Sequence, residues 1–151
     1  MNLELRSIDD NNKNAIELLE VSEEQKQFVA SNKKSLETAA KGEYREIART
    51  FAIYADGNPV GFTMFAFELT TSDPNDRYWL WRFMIDKASQ GKGYGSAALK
   101  KIIDYFRSHG ADHILLSTKE TNTTALALYH KYQFAETGDM NDNEIVLRLN
   151  L

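Results

Sequence analysis

Gln90-Gly91-Lys92-Gly93-Tyr94-Gly95-Ser96 stands between an aromatic-rich apolar run and an amphipathic one. Before it, Tyr78-Trp79-Leu80-Trp81-Arg82-Phe83-Met84-Ile85 is dense in residues that favour a pleated, buried strand. After it, Leu99, Ile102, Ile103 and Phe106 recur at i, i+3, i+4, i+7, the spacing of one helix face. A glycine-rich turn that feeds a helix start presents unpaired backbone N–H groups at the positive end of the helix dipole. Such a turn binds phosphate without needing a cationic side chain. Glycine suits it because a Cβ would hold the anion off the backbone and oppose unusual φ values.

The spacing excludes the two commoner phosphate motifs. A P-loop needs four residues between glycine and Gly-Lys-Ser/Thr, and here Lys92 is followed by glycine. The dinucleotide fingerprint G-x-G-x-x-G fails because Ser96 stands three residues after Gly93. What remains is Gln-x-x-Gly-x-Gly, formed by Gln90, Gly93 and Gly95. This resembles the acyl-CoA pyrophosphate loop of the GNAT N-acetyltransferase superfamily, Arg/Gln-x-x-Gly-x-Gly/Ala.

Bulk properties set the frame. The chain has 151 residues, enough for one domain with a substantial core, and its 42% hydrophobic and 26% charged residues fit a soluble globular protein. It has no cysteine, which excludes disulfides, thiolate catalysis and cysteine metal sites. Met1-Asn2-Leu3-Glu4-Leu5-Arg6 lacks a signal-peptide core, and no run approaches a membrane span, so a cytoplasmic protein is expected. A net charge of −4 argues against a nucleic-acid binder and is compatible with a small cationic substrate.

Outside the loop, Leu3 to Ile8 alternates in period two as a strand does, and Asp9 to Asn12 offer caps for a short helix through Ile16 and Leu19. Ser22-Glu23-Glu24-Gln25 is a capping box that opens a second helix, with Phe28, Asn32 and Leu36 on one face and a stop at Lys41-Gly42. Residues 51–55 and 60–67 read as strands around Asp56-Gly57-Asn58-Pro59, and a loop over 70–76 leads to the aromatic strand. A short buried strand over 113–118 precedes a helix from Asn122 to Lys131. Residues 134–137 and 144–149 close the chain as a hairpin across Gly138-Asp139 and Asp142-Asn143. The order β-α-α-β-β-β-α-β-α-β-β gives a mixed α/β sheet whose strand–helix–strand unit is parallel.

That order is also the GNAT order. The second stretch with a family likeness is Asn122-Thr123-Thr124-Ala125-Leu126-Ala127-Leu128-Tyr129, followed by Tyr132-Gln133-Phe134. It is similar to Asn-x-x-Ala-x-x-Leu-Tyr-x-x-x-Gly-Phe, with Gln133 where glycine is usual. The resemblance implies the GNAT acyl-CoA N-acyltransferase fold over 1–151, a central sheet with splayed parallel strands flanked by helices. It implies acetyl-CoA as cosubstrate, with no metal and no covalent intermediate. Gln90, Gly91, Lys92, Gly93, Tyr94, Gly95 and Ser96 would then surround the pyrophosphate. Phe83, Met84 and Ile85 would meet the pantetheine arm and the thioester carbonyl, Asn122 would bond the pantetheine, and Tyr129 would be the general acid. Residue type alone also allows Asn122 a plain helix-capping role and Tyr129 a place in the core.

The acceptor side is less determined. A primary amine near pKa 10.4 needs roughly 4–5 kcal/mol to reach its nucleophilic form at pH 7, so a base or water relay is required. Tyr78 to Arg82 carries no carboxylate, which leaves Glu24, Glu68 and Asp73 as candidates; the three histidines are assigned no role. The stretches Val21–Asn32 and Tyr78–Asp86 resemble the bacterial spermine/spermidine (diamine) acetyltransferase branch. In that reading Glu24 and Glu68 bind ammonium groups while Trp79 or Trp81 faces one through a cation–π contact. Two other readings stand beside it: acetylation of a protein N-terminus or lysine, and a non-catalytic acyl-CoA-binding regulatory module. A homodimer is expected because relatives often form one.

Overall fold

The computed structural model describes residues 1–151, and the expected element order is the observed one. β1 (Leu3–Ser7), α1 (Lys13–Leu18) and α2 (Asn32–Ala39) precede the antiparallel strands β2 (Ala48–Ala55), β3 (Asn58–Phe67) and β4 (Tyr78–Ile85). Then follow α3 (Tyr94–Ser108), β5 (His113–Thr118), α4 (Thr123–Lys131), β6 (Ala135–Asn141) and β7 (Glu144–Asn150). The strands form one seven-stranded mixed sheet in the order β1-β2-β3-β4-β5-β7-β6. Asp56 and Gly57, both at positive φ, make the tight turn between β2 and β3. No helix is long and apolar enough to cross a membrane.

Each sheet face has its own core. Leu99, Ile102 and Phe106 of α3 pack with Phe65, Phe67, Leu80, Ile114 and Leu116 on one face. Ile16, Phe62, Met64 and Met84 pack on the face covered by α1 and α2. The crossover in β4 is a bulge: Met64 pairs with Arg82 and Phe65 with Leu80, so Trp81 is an extra residue. Leu80 therefore faces α3 while Met84, four residues on, faces α1. Simple alternation would have put both on one side.

Two expectations are corrected. The single helix from Ser22 toward Lys41 is two pieces, a 3-10 turn over Glu23–Gln27 and then α2. The break occurs because Ser31 takes an extended backbone (φ −60°, ψ 153°) and its hydroxyl accepts from Lys34 N at 3.1 Å, starting a new helix. Asn32, 2% exposed, donates to the carbonyls of Ile16 and Leu19 and so closes the C-terminus of α1. The second correction concerns Gly138-Asp139, which is a register shift inside β6 and not part of the turn; Asp142 and Asn143, both at positive φ, make the turn alone.

Candidate active site

β4 and β5 run parallel but pair at one position, Trp79 with Leu115, and then diverge. The wedge opens into a cleft of about 1690 Å³, beyond the roughly 300–1,000 Å³ of ordinary small-molecule pockets and large enough for two substrates. Asp86 N donates to Val60 O at 2.7 Å, which sets the phase of the β3–β4 ladder. Met84 thus turns its backbone groups toward β3, and Phe83 and Ile85 turn theirs into the wedge. An extended ligand lying against Phe83 and Ile85 would find strand-like partners there.

The glycine loop ends at the mouth of this wedge. None of the backbone N–H groups from Gln90 to Ser96 has a partner among the turn, cap and loop hydrogen bonds; the first to be used is Ala97 N, on Gly93 O. Gly91 and Gly93 take φ of 77° and 84°; a Cβ would meet nothing within 4 Å at Gly91 and only Met1 Cε, at 3.8 Å, at Gly93, so the backbone conformation and not crowding demands glycine. Gly93 is the cap residue of α3, and Tyr94 and Gly95 line the cleft. Free donors, left-handed glycines and a helix start together fit a pyrophosphate. Lys92 is exposed beside them, and the Ser96 hydroxyl bonds Tyr132 Oη.

Gln90 has a different job from its neighbours. Its Nε2 donates to Ile85 O and to Gln25 Oε1, each at 2.9 Å, and Gln25 Nε2 donates back to Gln90 Oε1. Gln25 Oε1 also accepts from Ser22 N at 3.2 Å, one half of the capping box. Asp86 caps the turn before the loop and accepts from Glu20 N at 2.8 Å, while Lys87 bonds Glu20. The loop is therefore tied to the segment joining α1 and α2.

α4 supplies the opposite wall. Tyr129 is 9% exposed yet lines the cleft. Burial pushes its phenol well above the ordinary tyrosine range, with no hydrogen bond contributing. Asn122 is the N-cap residue of α4 but its side chain makes no cap bond; its Nδ2 donates to Thr118 Oγ1 at 3.2 Å and the residue lines the cleft. The helix exits through Gln133 at φ 74°. Phe134 N donates to Tyr129 O and Gln133 N to His130 O, a Schellman exit closed by the Tyr129–Phe134 ring contact at 5.7 Å. Glycine's usual place in the pattern is that left-handed position.

The other sheet face forms the second end of the cleft. Phe28 and Val29, at the break before α2, line it, whereas Glu24 sits exposed on the outer side of the 3-10 turn and outside the lining. Trp79, tied to Asp76 O through Nε1 at 2.9 Å, and Trp81, edge-on to Tyr44, both line it. Glu68, Asp73 and Asp76 approach from the β3–β4 connection, and Asp139, Asp142 and Glu144 from the β6–β7 hairpin. Against them stand Lys26, Arg82 and Arg148. Arg148 Nη1 donates to Asn75 Oδ1 at 3.3 Å and joins the two banks. None of the three histidines lines the cleft. Sequence reasoning missed Ser117 and Glu144, which meet across the β5–β7 ladder, and Arg82, which lines the same cleft from β4.

A family model described as Acetyltransferase (GNAT) family matches residues 13–134. The chain is 34% identical over 146 residues to the spermine/spermidine N(1)-acetyltransferase of Bacillus subtilis (strain 168), covering 95% of this chain and 94% of that one. The same identity and coverage relate it to a probable spermine N(1)-acetyltransferase of Bacillus subtilis subsp. natto (strain BEST195). Among solved structures it is similar to spermidine N-acetyltransferase from Vibrio cholerae in complex with CoA and spermine. There the TM-score is 0.72 at 21% identity, covering 99% of this chain and 94% of that one. At that identity the likeness is one of fold.

Proposed function

The chain belongs to the GNAT acetyltransferase family, and from that premise we propose that it transfers the acetyl group of acetyl-CoA to a primary amine of a polyamine such as spermidine or spermine. The observation that carries the acceptor class is the charge of the cleft away from the glycine loop. Carboxylates stand on two opposed banks there, outnumbering the cations, and a ligand with several separated ammonium groups can engage both. The activity named for the two Bacillus relatives supports the same acceptor.

In this reading Gly91 to Ser96 hold the pyrophosphate through backbone N–H groups, with Lys92 adding charge beside them. Phe83 and Ile85 hold the pantetheine arm as an added strand, and Asn122 fixes it from α4. The thioester carbonyl then lies at the wedge, and in this reading the Ile85 N–H stabilises the oxyanion. The amine nitrogen, once neutral, attacks the carbonyl carbon; the C–S bond breaks and the sulfur leaves with the electron pair. Tyr129 stays protonated throughout the neutral range and donates a hydrogen bond to the developing thiolate. Its raised pKa favours that bond over complete transfer, so the proton shed by the attacking nitrogen restores the thiol. The earlier proton, lost when the ammonium becomes the neutral amine, leaves through water; Glu68 and Asp73 line the cleft at its far end from Phe83 and receive it by that relay. Trp79 and Trp81 offer ring faces to the methylene and ammonium groups of the acceptor. The reading includes a cytoplasmic setting.

Acetyl-CoA consumption with spermidine, followed by thiol release and product mass, tests the proposal. Amine-dependent thiol release with a singly acetylated polyamine is expected, and none with any polyamine would refute it.

A further inference from the structure

Glu144 differs from the other carboxylates of the cleft. It is half-buried where Asp73, Asp76, Asp139 and Asp142 are exposed, and its Oε1 accepts from Ser117 Oγ at 2.8 Å. Strand alternation fixes its direction: Leu116 and Leu147 enter the core under α3, so Ser117, Glu144 and Val146 point to the opposite face. Counting on from the Trp79–Leu115 pair, Ser117 lies level with Trp81 across the wedge. Arg82 feels the charge of Glu144 over that gap. It does not close on it: Arg82 Nη1 turns back to Trp81 O at 3.2 Å, its guanidinium lies 5.2 Å from the Trp81 ring centre, and its buried Nε is without a partner. One carboxylate, held by one oxygen, thus lines the cleft that the Phe83 backbone groups open into.

We propose that Glu144, oriented by Ser117, is the carboxylate that receives the ammonium group of the acceptor end to be acetylated. This rests on the polyamine reading and adds the residue that decides which nitrogen reaches the thioester. Glu68 is also half-buried, but it follows β3 opposite the start of β4, at the far end from Phe83. A carboxylate in a partly desolvated wedge, fixed by a hydroxyl, orients a primary ammonium better than solvated loop aspartates do.

The test is steady-state kinetics of purified full-length wild type, Glu144→Gln, Ser117→Ala and Glu37→Gln with acetyl-CoA and spermidine. Glu37 lies exposed on α2 outside the cleft and controls for net charge. Losing one charge-assisted hydrogen bond should raise the spermidine KM of Glu144→Gln about tenfold or more, with the acetyl-CoA KM unchanged. Ser117→Ala should give a smaller rise in the same constant, and Glu37→Gln none. An active wild type whose spermidine KM is unmoved in Glu144→Gln overturns the assignment of Glu144 alone. So does an equal rise in both KM values, which would mark general damage. A wild type silent toward spermidine overturns the polyamine reading, and this inference with it.

Discussion

Gln25 and Gln90 exchange two side-chain hydrogen bonds, Gln90 Nε2 to Gln25 Oε1 at 2.9 Å and Gln25 Nε2 to Gln90 Oε1 at 3.2 Å. One residue sits in the 3-10 turn between α1 and α2 and the other opens the glycine loop, so these two segments share a latch. Gln90 also holds Ile85 O, the last carbonyl of β4. Gln25→Ala should therefore raise the KM for acetyl-CoA several-fold although Gln25 lies outside the loop, each lost bond contributing about 1 kcal/mol. An acetyl-CoA KM unchanged in that variant would show that the latch does not support the loop.

Tyr129→Phe keeps the packing against Phe134 and removes only the hydroxyl. Turnover should fall roughly 10²-fold, while acetyl-CoA affinity, measured by titration calorimetry, stays near wild type. Unimpaired turnover would remove Tyr129 from the reaction.

The same residue sets an alkaline limit on stability. Its folded pKa is raised above the unfolded value of about 10. The associated stability is fully present below about pH 10 and is lost as pH rises toward the folded pKa, at about 1.4 kcal/mol per pH unit. Urea midpoints across pH 9 to 11 should fall less steeply for Tyr129→Phe than for wild type. Parallel curves would contradict the burial argument.

Gly93→Ala places a Cβ at an ordinary 3.8 Å from Met1 Cε but at φ 84°. The left-handed penalty of about 1–2 kcal/mol should lower Tm by roughly 2–4 °C per kcal/mol. The acetyl-CoA KM should rise as well, because the cap of α3 aims the free N–H groups. Conversely, Gln133→Gly relieves a left-handed non-glycine residue at φ 74° and should gain up to about 1 kcal/mol in urea unfolding with activity intact. Loss of stability there would mean that the glutamine side chain compensates for its backbone.

Much of this arrangement is legible in the sequence. Both β4 and β5 have the expected limits, because each is a short apolar run bounded by turn residues. The start of α3 was marked by glycines that leave the backbone no other use. The break before α2 was hidden by competition: Ser22 and Ser31 are both good caps nine residues apart, and residue type does not say that both will be used. The bulge at Trp81 leaves no trace in an unbroken apolar run, so the reversal of faces between Leu80 and Met84 could not be foreseen. Glu24 looked suited to the acceptor by its neighbours in sequence, yet the tight 3-10 turn directs it outward. Glu144 and Ser117 come together through strand pairing across the β5–β7 ladder, which local pattern does not encode.

The central claim is direct acetyl transfer from acetyl-CoA to a polyamine, and one measurement reaches it most directly. Purified protein is incubated with acetyl-CoA and, separately, spermidine, spermine, a free amino acid and a peptide with a free N-terminus. Released thiol is quantified and products are identified by mass spectrometry. The account predicts thiol release matched mole for mole by monoacetylated spermidine or spermine. Binding of acetyl-CoA with no acetylated polyamine, or acetylation confined to the peptide or the amino acid, would contradict it.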